Sequence, residues 1–427
     1  MNNPKSTTSR RSVLAGLGAA AAAPLLAMPA LAQTKKLKIG YIASLSGVRA
    51  NFGEADAWNV ENMVMPALEN GLTIGSETYD VEVIMRDSQS NMNNSTAVGN
   101  ELMLRENVDL MLVQDSDAAR VLGALADASK KPMISTMEPW QAWYGGRGGD
   151  AATGFPYTFH FFWGVGDLFA NFFSAWDSVE TNRKVGTMYI DVPAGHGFGG
   201  AIGDGLKGNN YEEIVGGFFK IATDDFSNQV SAFKSGNAEI VTGLAYADHF
   251  NTFWSQAAQQ GFSPEIVTVA AAFLFPSAIA TLGDRGNGMS TEIWWTPEHP
   301  FTSSLNGMSA RQLATAWEDG TGNQWTQPLG YGHALWEAGI KALQGAKDPK
   351  NADAVAASIA QLNFESVIGR INFADSEIKN VAQTGLAFGQ WFKNPEGSKF
   401  PFDLKVTHNG TAPEIPVGAE FKKLSEL

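Results

Sequence analysis

The 427 residues include no cysteine, which removes disulfides, thiolate metal sites, iron–sulfur centres and cysteine nucleophiles together. Histidine is scarce: six residues, none in a His-x-x-x-His arrangement, leave little from which to build a zinc site. Positive charge is also short. With 30 Lys and Arg against 44 Asp and Glu, and no basic run, the chain offers nucleic acid phosphates nothing to bind. It has no glycine-lysine phosphate loop, so it is not its own nucleotide-driven motor. Beyond residue 31 no apolar stretch is long enough to span a bilayer.

The first positive signal is an export leader. Ser9-Arg10-Arg11-Ser12-Val13-Leu14 is a twin-arginine pattern, followed by an apolar run over 15–31 that Pro24 and Pro29 interrupt. Ala30-Leu31-Ala32 is a small-x-small cleavage site. The expectation is a twin-arginine signal peptide over residues 1–32, cleaved on export to the periplasm. Loss of Lys5, Arg10 and Arg11 takes the formal charge from −14 to −17, and 427 less 32 leaves 395 residues. That length exceeds what one core usually accommodates, so two lobes are expected.

Strand-like runs alternate with helical patterns, the mark of parallel βαβ layers rather than a sandwich. The first series places strands at 37–43, 79–86, 108–113 and 132–136, with helices between them. After the aromatic, glycine-rich passage 140–163 the pattern restarts, with strands at 184–190, 213–221, 240–244 and 266–272. In a parallel sheet the turns after the strands face the ligand crevice. The turn after the first strand, Ser46-Gly47-x-x-Ala50-x-x-Gly53, opens a helix whose free N–H groups suit an anion.

That spacing resembles the first strand, loop and helix of the leucine/isoleucine/valine-binding family, the type I periplasmic substrate-binding proteins of ABC importers. Asp191, Asp225-Phe226-Ser227 and Gln256-Ala257-x-x-x-Gly261 recur at similar places in that family. Phe364 with Val367-Ile368-Gly369-Arg370-Ile371-Asn372-Phe373 looks like its late strand returning between the lobes. The resemblance runs in order from about Leu37 to Phe373. It implies an α/β fold of two doubly wound parallel-sheet lobes joined by hinge crossovers. The lobes are expected at 33–160 plus 290–378 and at 161–289 plus 379–427. It further implies a monomeric receptor without cofactor, metal or catalysis, which closes on a small-molecule solute and delivers it to a membrane permease.

The family places its ligand at turns that here read Asp115-Ser116-Asp117 and Thr136-Met137-Glu138, and Phe52 is a further candidate, as a wall. In relatives the matching turns hold a ligand carboxylate by hydroxyl and backbone N–H groups. Two carboxylates at the first turn speak against a simple amino acid, unless they point away or only cap the following helix. From the second lobe the candidates are His196 between glycines, Tyr246, Asp248 and Phe273. Phe273 stands where the family often has an acid for the ammonium group. The solute therefore stays open among amino acids, amides, aromatic acids and amines.

Twelve tryptophans need a reason. Trp58, Trp176, Trp254, Trp317, Trp325 and Trp336 read as core. Trp140, Trp143, Tyr144, Phe161, Phe162, Trp163, Trp294 and Trp295 bracket the lobe junction, where they either pack or wall a solute. A rival reading comes from Gly195-His196-Gly197-Phe198-Gly199-Gly200, which satisfies the dinucleotide fingerprint, with Asp224 downstream as a ribose acceptor. It would make the chain an exported nicotinamide-dependent oxidoreductase. A third reading keeps the binding fold but makes the chain a ligand sensor for a membrane receptor.

Overall fold

The computed structural model describes residues 35–427; the expected signal peptide lies outside the described residues. Sixteen strands form in chain order: β1 (Lys35–Ala43), β2 (Leu72–Ile74), β3 (Glu77–Asp87), β4 (Leu110–Val113), β5 (Met133–Ser135), β6 (Thr158–Phe162), β7 (Lys184–Ile190), β8 (Glu212–Phe219), β9 (Ile240–Leu244), β10 (Ile266–Ala270), β11 (Ser290–Ile293), β12 (Asn363–Ser366), β13 (Gly369–Asn372), β14 (Val381–Gln383), β15 (Ala387–Lys393) and β16 (Phe402–His408). Two seven-stranded sheets result, ordered β14-β6-β5-β4-β1-β3-β2 and β16-β15-β11-β10-β9-β7-β8. The first is parallel except for β2 against β3. The second is parallel from β8 to β11 and antiparallel at β15 and β16.

Alternation along the central strands feeds two apolar layers in the first lobe. Ile42, Met111 and Val113 pack with Leu122 and Trp143 on one face, and Tyr41, Leu112 and Ile134 belong to the main core on the other. The helix Gln327–Gly345 covers that second face. It is buried nearly all round, with Trp336 stacked on Tyr41 at 5.1 Å, and Gly339 lets Leu110 and Leu112 approach its backbone. No helix among the described residues is long and apolar enough to cross a membrane.

The chain passes between the sheets after β6, after β11 and after β14. These crossings move the expected lobe limits. Residues 290–293 pair with the second sheet as β11, and 381–383 pair with the first as β14. The expected late strand is also corrected. Residues 363–372 form a separate antiparallel hairpin, β12 with β13, because the chain reverses at Val367-Ile368 into Gly369 at φ +104°.

A buried polar chain ties the first lobe together. The Tyr41 hydroxyl donates to Asp56, Asn59 Oδ1 lies 2.9 Å from His333 Nδ1, and His333 Nε2 lies 2.7 Å from Ser303 Oγ. Burial raises the Asp56 carboxyl to about 8, beyond what the Tyr41 bond lowers it. Between its ordinary value near 3.8 and about 8 the folded chain keeps a proton that the unfolded chain releases, so rising pH removes stability across that window. In Asp56→Asn that component disappears. The stability difference between variant and parent should shift in favour of the variant by roughly 4 kcal/mol from pH 5 to pH 8, read by urea unfolding. Parallel pH profiles would contradict this assignment.

Candidate functional site

The turns after β1, β4 and β5 meet at the carboxyl ends of the first sheet, where open α/β sheets hold their ligands. Gly47 turns the chain at φ +88°, and a Cβ there would lie 2.5 Å from the Gln89 carbonyl. Three backbone N–H groups of this turn, expected to be free for an anion, are engaged. Those of Leu45 and Ser46 donate to Asp87 at 3.0 and 3.2 Å, and that of Arg49 donates to Ser90 Oγ at 3.1 Å. The short turn Ala50–Phe52 follows, and it sends Arg49 and Phe52 in different directions.

Arg49 reaches the turn after β4. Its guanidinium lies 3.1 Å from Asp115 and 2.7 Å from Asp117, and it donates to Ser116 Oγ at 3.2 Å. Asp115 is also the N-cap of helix Ser116–Ala128, accepting from the Ala118 N–H at 3.0 Å. Burial pushes its carboxyl up, but Arg49 and the hydroxyls of Ser44 and Ser88 outweigh that and hold it below the usual range. Arg120 continues the network, bonding Asp117 and standing 3.0 Å from Glu138. Glu138 is buried with one oxygen unpartnered among the described residues, and burial raises it to about 8 against the pull of Arg120. Tyr246, heading helix Ala247–Gln259 of the second lobe, lies near enough to Arg49 and Asp117 for their charges to act on its hydroxyl. Its own shift is upward and comes chiefly from burial.

An aromatic wall adjoins this charged cluster. The Phe52 ring meets Phe275 of the second lobe edge-on at 4.9 Å and stacks with Trp294 at 6.0 Å. Trp294 lies 5.1 Å from Phe162 and 6.2 Å from Trp163 at the crossings. Gln114 joins the two regions, donating to the Phe52 carbonyl and to Met137 Sδ at 3.0 Å. Met137 (φ 69°) and Ala271 (φ 64°) hold left-handed backbone just after β5 and β10, a strain that concentrates at binding sites.

Of the candidates from sequence, the structure brings together Phe52, Asp115, Ser116, Asp117, Met137, Glu138 and Tyr246. Four others lie apart. The Thr136 hydroxyl is fully buried and donates to the Phe161 carbonyl at 2.8 Å, leaving no donor for a solute. Phe273 packs on Phe250 at 4.5 Å inside the second lobe, and it is Phe275 that reaches the junction. Asp248 is exposed on its helix. His196 is exposed too, 2.8 Å from Asp191 and stacked on Phe218 at 4.1 Å. The dinucleotide fingerprint also fails. Helix Pro193–Gly208 begins before Gly195, so the glycines lie within a helix where no phosphate-cradling loop forms.

Arg49 and Arg120 were missed by sequence reasoning; the nearest carboxylate partner of Arg49 is 66 residues away, whereas Arg120 pairs with Asp117 three residues before it, a local spacing that could have marked it. Trp143, Trp295 and Phe161 prove fully buried, whereas Trp163 and Trp294 stand at the junction.

A family model described as periplasmic binding protein matches residues 36–396. No curated protein matches the sequence. Among solved structures, a leucine-binding protein LivK from Thermotoga maritima is 18% identical, covers 88% of this chain and 99% of its own, and has a TM-score of 0.68. LivJ of Streptococcus pneumoniae, the branched-chain amino acid transporter substrate-binding protein solved with isoleucine, is 16% identical over 87% of this chain and 100% of its own, TM-score 0.69. A solute-binding protein of an ABC transporter from Rhodopseudomonas palustris, solved with 3,4-dihydroxybenzoic acid, is 16% identical over 92% and 99%, TM-score 0.69.

Removing one partner of a buried ion pair strands the other charge. Arg49→Ala should therefore lose about 3 kcal/mol in urea unfolding at pH 7, while Lys393→Ala, which breaks an exposed pair with Asp284, should stay within about 0.5 kcal/mol. Equal stabilities for the two variants would contradict the buried network.

Proposed function

The chain belongs to the periplasmic binding protein family, and we propose that it is the solute-capturing component of an ABC importer, exported by the twin-arginine route. In this reading a small organic solute enters between the lobes, the lobes close, and a membrane permease receives the cargo. The observation that carries it is the convergence of groups from both lobes on one place. Arg49, Glu138 and Phe52 come from the first sheet's turns, and Tyr246, Phe275 and Trp294 come from the second lobe and its crossing. Such a mix of apolar walls and a few polar groups is what a small-molecule cleft needs.

The guests of the structural neighbours range from isoleucine to 3,4-dihydroxybenzoate, so fold likeness does not choose among solutes. The oxidoreductase reading has lost its motif to the helix Pro193–Gly208. A sensor role would use the same cleft and differ only in its membrane partner.

A thermal-shift screen over amino acids, amides, aromatic acids and quaternary amines tests the proposal. A guest at 100 times its Kd should stabilise the protein by about 2.7 kcal/mol. Phe52→Ala and Tyr246→Phe should each weaken that guest at least tenfold (about 1.4 kcal/mol) while unfolding stays cooperative. Unchanged affinity in both variants would remove the cleft from the account.

A further inference from the structure

Resting on the capture reading, we propose that the guest is an uncharged, planar aromatic or heteroaromatic molecule with carbonyl or ring-nitrogen acceptors along its edge. Three features of the cleft lead there.

The charges of the cleft are already balanced among themselves. Two guanidiniums face three carboxyl groups: Arg49 lies 3.1 Å from Asp115 and 2.7 Å from Asp117, and Arg120 bonds Asp117 and stands 3.0 Å from Glu138. An entering carboxylate finds no unpaired cation and meets the field of two aspartates. An entering ammonium finds those aspartates engaged by arginine. A zwitterionic amino acid suffers both mismatches at once.

The hydrogen-bonding groups left over are mostly donors. The indole N–H groups of Trp163 and Trp294, and the Nε–H of Arg49, are buried without a partner among the described residues. Glu138 adds a donor, because burial keeps its carboxyl protonated at neutral pH. Against these stands one unpartnered acceptor in the cleft, Gln114 Oε1. A closed cleft that leaves buried donors unanswered is destabilised, so the guest that stabilises closure brings acceptors. A cation, which brings donors or none, does not.

The walls are flat. Phe52 stacks with Trp294 and meets Phe275 edge-on, and Trp294 is flanked by Phe162 and Trp163. Rings in these arrangements favour a planar guest that stacks or meets them edge-on.

Calorimetric titration of the exported protein at pH 7 with nicotinamide, benzamide and theophylline, against benzoate, L-isoleucine and benzyltrimethylammonium, tests the assignment. At least one uncharged probe should bind tenfold or more tightly than every charged one. Trp294→Phe, which keeps a ring and loses the N–H, should weaken that probe about tenfold while urea unfolding stays cooperative. Tightest binding of benzoate, isoleucine or the ammonium overturns this class and leaves solute capture standing. Silence from all six overturns it as well, whereas solute capture itself falls only if the wider screen finds no guest. Unchanged affinity in Trp294→Phe overturns the donor argument.

Discussion

A guanidinium held between two aspartates organises the mouth of the first lobe. Arg49 leaves the turn after β1, and the carboxylates it meets leave the turn after β4, so one ion pair fixes the relative position of two loops that the sheet alone only brings close. Asp115 accepts at once from Arg49, from the hydroxyls of Ser44 and Ser88, and from the first turn of its own helix. A buried carboxylate so fully satisfied is rigid, and rigidity here means that Phe52, three residues beyond Arg49, is delivered to the same place each time. Phe275 of the second lobe meets that ring edge-on at 4.9 Å.

The neighbouring groups respond to that anchor. Arg120 shares Asp117 with Arg49 and passes the interaction to Glu138, whose burial beside acidic neighbours keeps it protonated. Behind Glu138, His160 holds its backbone carbonyl at 2.8 Å and is itself buried and neutral, its pKa lowered to about 3 by burial. The turn carrying Glu138 is therefore supported from the core side as well as the cleft side. Met137, in left-handed backbone, is the strained residue that this double support holds in place.

The architecture was legible where a residue pattern maps onto one element. The strands near 37–43, 108–113, 184–190 and 240–244 follow from apolar runs bounded by turn residues, and the restart after residue 163 revealed the second lobe. The long helix Gln327–Gly345 was not legible, because burial on all sides erases the polar face that marks an amphipathic helix. The hairpin 363–372 was read as one strand because its reversal, at Val367-Ile368 into Gly369, is written in residues that look continuous with β12 and β13. In the candidate site, the turns after β4 and β5 were named, but a turn does not reveal which way its side chains face. Thr136 faces the core and Glu138 the arginines; Phe273 packs inward and Phe275 reaches across. The pairings of Arg49 with Asp115 and Asp117 join distant segments, and no local pattern records them; only Arg120 with Asp117 is a pair within one helix.

The central claim is that the two lobes close around one guest. The absence of cysteine makes a direct measurement simple: Asn70→Cys and Asn228→Cys place one spin label on an exposed position of each lobe, and pulsed electron resonance reads the distance between them. A saturating guest should shorten and narrow that distance distribution. A distribution that stays the same while the guest is bound would contradict the account.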